Sequence, residues 1–202
     1  MLQPRQYPLH ITFKIWTPSP NRVSVRDNQG KLVFVMRQKA SQLKEVIIVY
    51  GYEQLSKPLY EIRADRIIDF SARYNFSDTK GTDLGGVKRQ GMKSLWSAKY
   101  DIFDRLAATT SMMTIREDEP WIKVLDALFS EIPIVGLFTG YVFNPSYTLA
   151  RASGANVMKL SKIPGFLSRN FTIQKVDQLD EQEEIQSILS ILMMIFLERR
   201  RG

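Results

Sequence analysis

Three groups of residues in this chain have types and spacing that could do chemistry. The stretch Gly86-Val87-Lys88-Arg89-Gln90-Gly91-Met92-Lys93-Ser94 comes close to a phosphate-binding loop. That motif needs lysine directly after the second glycine, so that the ammonium reaches the phosphates while backbone N–H groups surround them. Here Met92 intervenes, and the flanking residues read as strand on both sides rather than strand into helix. The stretch therefore reads as a glycine-containing connection between neighbouring strands. The second group is paired carboxylates, Asp65 with Asp69 and Asp101 with Asp104. Glycoside-type acid–base work needs two such groups held close together in a cleft. These pairs have basic neighbours in Arg63, Arg66, Lys99 and Arg105, which points to surface ion pairing. Ser111 follows Thr109 and Thr110, with no His or Lys placed to activate a hydroxyl.

The third group is basic. Lys88, Arg89 and Lys93, with Lys99 beyond them, concentrate charge in one strand–loop–strand unit. Arg63, Arg66 and Arg73 precede it, and neighbouring strands could bring the two sets together. Clustered cations attract anionic headgroups or nucleic acid, at about 1 kcal/mol per residue near an anionic membrane. The competing reading is a solvated face.

The elements that must carry these residues follow from composition and period. The chain has 202 residues, 28 Lys plus Arg against 21 Asp plus Glu, and a net charge of +7. It has no cysteine and one histidine, His10. That excludes disulfides, a thiol nucleophile, and zinc or iron–sulfur sites built on Cys or on several His. No cofactor is expected. His10 sits in an alternating stretch and reads as a strand histidine facing solvent or a polar neighbour. The first residues, Met1 to Gln6, have no apolar run of the signal-peptide kind, so a cytoplasmic protein is expected. The glycosylation sequons at Asn75 and Asn170 then read as chance matches. Two apolar stretches, 132–143 and 185–197, fall short of the roughly 20 residues a spanning helix needs and read as buried core.

Period-two alternation rich in Val, Ile, Phe, Tyr and Trp predicts strands at 9–16, 22–26, 32–38, 46–50, 59–64, 67–74, 84–88, 95–103 and 112–116. More follow at 141–143, 147–151, 157–160 and 171–176. Asp27-Asn28-Gln29-Gly30 and Asp78-Thr79-Lys80-Gly81 are turn sequences, and Ser153 to Asn156 forms a third. Pro120 followed by Trp121, Val124, Leu125 and Leu128 predicts a short helix near 120–130. The last segment differs. Asp177, Asp180, Glu181, Glu183 and Glu184 precede an apolar run, and Arg199-Arg200-Arg201 follow it, as a helix dipole prefers. Residues 191–197 are apolar on every face, so this helix, 180–200, should be enclosed. The expected fold is mainly β: a closed or nearly closed antiparallel barrel around a buried C-terminal helix. No linker divides the chain, so one domain is expected, with residues 1–6 as a tail.

Several motifs, in order, resemble a known family. They are Val25 to Phe34, Pro58-Leu59-Tyr60-Glu61-Ile62, Gly81 to Arg89, Ser94-Leu95-Trp96, Tyr100-Asp101-Ile102, and Glu198 to Gly202 after the apolar helix. From about residue 22 to 202 the chain resembles the tubby C-terminal-like superfamily, in its bacterial and LURP-one-related branch, with phospholipid scramblases as distant relatives. The resemblance implies a barrel of about a dozen strands around a hydrophobic helix. Eukaryotic tubby domains bind phosphoinositides through basic side chains on the barrel surface. By that likeness Lys88 and Arg89 are the first candidates for an anion or lipid site, with Lys93, Arg63 and Arg66 beside them. Scramblases carry a calcium-linked segment near the terminal helix. This chain shows no acidic calcium loop and no extension after Gly202, which argues against that role.

The expected function is a non-enzymatic module that binds anionic lipid headgroups, peripheral to a membrane. The alternative is a structural barrel that meets a protein partner, with 132–143 as an apolar docking surface if exposed. Nucleic acid is a more remote alternative. Trp16, Trp96 and several Tyr could stack bases, but they fall where strands need core residues.

Overall fold

A computed structural model describes residues 6–14, 22–39, 46–51, 57–66, 72–91, 98–105, 109–118, 145–163 and 168–199. The first strands are β1 (Leu9–Lys14), β2 (Arg22–Arg26), β3 (Leu32–Gln38), β4 (Val46–Gly51), β5 (Pro58–Ala64) and β6 (Arg73–Asp78). Then come β7 (Asp83–Arg89), β8 (Lys99–Phe103), β9 (Ser111–Glu117), β10 (Ser146–Arg151), β11 (Asn156–Ile163) and β12 (Ser168–Lys175), followed by the helix α1 (Glu181–Arg199). Each strand pairs antiparallel with its neighbours in sequence, and β1 closes the ring on β12 from Leu9↔Ile173 to Lys14↔Ser168. Closure removes the free sheet edges that would otherwise invite pairing with other chains.

The pleat assigns faces. Ile11, Val25, Phe34, Ile62, Phe76, Val87, Ile102, Ile115, Leu149 and Ile173 all point inward and are buried in one core with the helix. Thr12, Ser24, Asn75 and Lys159 occupy outward positions. The helix is buried from Glu184 to Phe196 on every face, with Leu192, Met193 and Met194 at 0% exposure. This is the enclosed helix that its all-round apolar run predicts. Among the described residues, no helix is long and apolar enough to cross a membrane.

Two local devices set the helix. Its start is a capping box: the Glu183 N–H donates to Asp180 Oδ1 at 2.8 Å, and the Asp180 N–H donates to Glu183 Oε2 at 3.3 Å. Its approach to the wall depends on Gly85, which has φ +88°, a conformation that suits glycine. A Cβ there would lie 2.1 Å from the Phe103 carbonyl oxygen and 3.0 Å from Gln186 Nε2. The bare backbone lets Gln186 donate to the Leu84 carbonyl at 2.7 Å.

Most strands lie where the alternation puts them. One runs further than expected: residues 67–71 of the strand expected at 67–74 lie outside the described residues, and the described strand β6, Arg73–Asp78, continues past 74. The Asp78–Gly81 turn closes with a hydrogen bond from the Gly81 N–H to the Asp78 carbonyl, so the strand must run up to Asp78. Tyr74 and Phe76 then supply its inward residues. The expected helix near 120–130, the strand at 141–143, the stretch 132–143 and residues 95–97 of the strand predicted at 95–103 lie outside the described residues; the rest of that last strand is β8 from Lys99.

Candidate basic rim

The meander gives the barrel two ends of different character. One end holds the start of α1, the end of β10 and the end of β12. The other holds the C-terminal end of α1, the end of β7 and the start of β8. At the second end every strand except β4 and β10 carries a Lys or Arg in one of its two outermost residues. At the first end only β2, β10 and β12 do, with Arg26, Arg151 and Lys175. Among the described strand ends, the lysines and arginines are thus gathered on one rim.

The strand-end cations at the first end are engaged. Arg151 bridges Asp177 at 2.8 Å and Glu183 at 3.0 Å, and donates to the Gln178 carbonyl at 2.6 Å. Lys175 meets Glu184 at 2.7 Å, and Arg26 donates to the Gly30 carbonyl at 2.8 Å. The Glu183 carboxyl is held below its ordinary value by the Arg151 hydrogen bond. The Asp177 carboxyl is lowered by the Gln178 N–H and by Arg151. This end ties the helix start to the wall.

The rim at the second end is arranged differently. Arg22 lies directly opposite Arg37, Arg73 opposite Lys88, and Lys99 opposite Arg116. Like charges directly opposite on neighbouring strands destabilise a sheet. Among the described residues Arg22, Lys88, Lys99 and Arg116 form no ion pair. Arg37 lies over the Tyr50 ring at 5.6 Å, and Arg73 lies over the Phe103 ring at 4.8 Å. Gly86 makes that second contact possible, because a Cβ there would sit 3.3 Å from Arg73 Nε.

The structure distributes the five sequence-predicted site residues unevenly. Lys88 faces outward on β7, half-buried, between Arg73 and Asp101. Arg66 is half-exposed beside it and forms a two-pronged pair with Asp65, both contacts at 3.2 Å. Partial burial works against the ionised Asp65, but hydrogen bonds from Arg66 and the Arg73 N–H, with the charges of Arg66 and Lys88, hold its carboxyl below the ordinary value. Arg63 is exposed and donates to Glu61 at 2.6 Å. Arg89 departs from the expectation of a surface cation. Strand alternation turns it inward next to outward Lys88, and it is 6% exposed. Lys93 lies outside the described residues. Neighbouring strands β5, β6 and β7 do bring Arg63, Arg66, Arg73 and Lys88 together, with Glu61 and Asp65 among them.

Inward Arg89 belongs to a polar cluster just inside the rim that the sequence reading missed. It pairs with Glu198, near the end of α1, at 3.6 Å and lies over the Tyr100 ring at 5.8 Å. Tyr100 donates its hydroxyl to Glu198 at 2.6 Å. Buried Glu117 accepts the Ala98 N–H at 3.0 Å. Burial, then the Glu198 charge, raise the Tyr100 hydroxyl well above its ordinary value. Burial, then Glu117 and Glu198, do the same to Tyr147. The Tyr100 phenol therefore stays protonated and acts as the donor to Glu198. The cluster anchors the far end of the helix. The signal for it was the in–out count along Val87, Lys88 and Arg89.

The other candidates resolve as structure. Gly86 lies within β7, paired with Asn75 and Phe103, and residues 92–94 of the same stretch lie outside the described residues. Asp101 accepts from Gln90 at 2.8 Å and Thr114 at 3.2 Å rather than from Lys99. Asp104 accepts from Gln182 at 3.0 Å. His10 is exposed on β1. Among the described residues no group of three or more His, Asp or Glu is arranged to hold a metal ion. Compared with known proteins, the chain matches no family model, no curated protein and no solved structure.

Proposed function

We propose that this protein is a non-enzymatic binding module that takes anionic headgroups of a membrane surface at the basic rim of its barrel, from the cytoplasmic side. The observation that carries the reading is the set of like-charged residues facing each other across neighbouring strands, with Arg22, Lys88, Lys99 and Arg116 in no ion pair among the described residues. Such pairs weaken the sheet, so an anionic ligand that relieves them gives the arrangement a use. The resemblance to the tubby C-terminal-like superfamily supports the same class of ligand. Lys88, Arg66 and Arg63 remain in the proposed site. Arg89 serves from within by holding Glu198.

The test is flotation of the purified protein with phosphatidylcholine vesicles, alone and with added phosphatidylserine or phosphoinositide, at low and physiological salt. Binding to the anionic vesicles that falls steeply with salt is expected, because exposed charges are screened beyond about 8 Å at physiological ionic strength. Equal recovery on neutral vesicles, or none on any, from a protein with a cooperative melt would overturn the reading.

A further inference from the structure

We infer that the barrel interior holds an internal water site, in which one water molecule bridges the side-chain oxygen of Gln186 and the hydroxyl of Ser190 on α1. The site belongs to the end of the barrel where α1 starts, and it is independent of the basic rim. Gln182, Gln186 and Ser190 recur every fourth residue of the helix and so share one face. The stripe runs from exposed Gln182 inward to Gln186 and Ser190, both at 0% exposure. Its outer part is paired. Gln182 Nε2 donates to Asp104 Oδ1 at 3.0 Å, and Gln186 Nε2 donates to the Leu84 carbonyl at 2.7 Å and to Asp104 Oδ1 at 3.4 Å. Both of its partners are acceptors, which fixes the orientation of the Gln186 amide. With the nitrogen turned to the barrel mouth, the oxygen on the other branch of the planar amide is turned inward. There the pairing stops: among the described residues neither Gln186 Oε1 nor Ser190 Oγ has a hydrogen-bond partner, although both are buried. Ser187 is different, since its hydroxyl meets the Met113 sulfur at 3.7 Å.

A buried polar atom left unpaired forfeits the hydrogen bond that it makes with solvent in the unfolded chain. Side chains one helical turn apart have Cβ atoms about 6 Å apart, and one water with a hydrogen bond of about 2.8 Å on each side spans that distance. The wall gives room, because Gly85 has no side chain where the Gln186 amide packs, and a Cβ there would lie 3.0 Å from Gln186 Nε2. The chemistry of the pair selects the occupant. An amide oxygen only accepts, so the occupant must donate, while a hydroxyl serves in either sense. A calcium-type cation takes about six oxygens and this pair supplies two. A water needs roughly two to four polar partners. The stripe of Gln182 and Asp104 gives it a polar path to solvent.

The test reads the wild-type protein twice: in a high-resolution crystal structure, and in water–protein nuclear Overhauser spectra of the 15N-labelled chain. A density peak within hydrogen-bond distance of both Gln186 Oε1 and Ser190 Oγ is expected. In solution a cross-peak from water to the Gln186 side-chain amide protons, of the sign that marks a long-lived water, is expected. That position is read because exchange of the Ser190 hydroxyl proton could mimic such a signal at Ser190 itself. In Ser190→Ala, shown to be folded by its circular dichroism melt, the water keeps one partner of the two and the cross-peak should be lost. If that variant fails to fold, the wild-type crystal structure and spectrum decide alone. A cross-peak of unchanged strength in Ser190→Ala overturns the bridge. So does a crystal structure in which Ser190 Oγ bonds the carbonyl of its own helix and Gln186 Oε1 finds a protein partner. A peak coordinated by five or more oxygens overturns water in favour of a cation, and a wild-type protein with neither peak nor cross-peak removes the site.

Discussion

At one end of the barrel Arg151 divides its guanidinium among Asp177, Glu183 and the Gln178 carbonyl. At the other, Lys99 and Arg116 face each other across neighbouring strands, in no ion pair among the described residues. The residue types are the same and their settings are opposite. The difference teaches how to separate a structural cation from one available to a ligand: by its partners, not by its charge. It also locates two kinds of cost. The first end should respond to mutation by loosening the fold, and the rim should respond by losing a ligand.

The largest expected effect tests the core both ends share. Leu192→Asp would put an unpaired charge at a fully buried position and should cost roughly 3–5 kcal/mol in urea unfolding. A soluble protein with an unchanged melt would refute the enclosed helix. Next comes Gly85→Ala, which forces a positive φ and a contact 2.1 Å from the Phe103 carbonyl. A loss of roughly 2–4 kcal/mol is expected. Gly91→Ala, with nothing within 4 Å of the added methyl, is its near-neutral control.

Acid should discriminate the ends more gently. Glu183 and Asp177 have folded values below their ordinary 4.5 and 3.8. Their contribution is therefore present above those values and is lost as pH falls through and below them. The melting temperature should drop below about pH 4, and Arg151→Met should blunt that dependence, because Arg151 lowers both groups. Vesicle binding by Arg151→Met at neutral pH should match wild type. The smallest effect has the opposite sign. Lys99→Glu replaces a repelling pair with an attractive one across from Arg116, and should stabilise the fold by roughly 0.2–1 kcal/mol while weakening anionic-vesicle binding. A variant less stable than wild type would break the contrast between the two ends.

Much of the fold is legible in the sequence because a barrel wall and its core have local signatures. Alternation marks the strands, Asp and Gly mark the hairpin turns, and the helix carries its acidic start and its all-round apolar run. The end of β6 is less legible, since the alternation alone stops at 74 and the Asp78 turn carries the strand on to Asp78. The rim is legible only after the topology is known. Its residues lie far apart along the chain, from Arg22 to Lys162, and only the antiparallel meander puts them on one end. Proximity in sequence misled at Arg89, where charge suggested the surface and the pleat put the side chain inside. Glu198 was equally hidden, because its partners Arg89 and Tyr100 come from strands about a hundred residues earlier.

The order of synthesis gives the enclosed helix one more consequence. The barrel's innermost residues, from Ile185 to Phe196, leave the ribosome after all twelve strands. Until they arrive the inward side chains of the wall have nothing to close on, and β1 must wait for β12 to complete the ring. Pairing so remote in sequence folds slowly and leaves apolar surface uncovered in the meantime. A nascent chain cut short before residue 181 should therefore remain a client of chaperones, and the emergence of the helix would be the moment at which the barrel first acquires an inside.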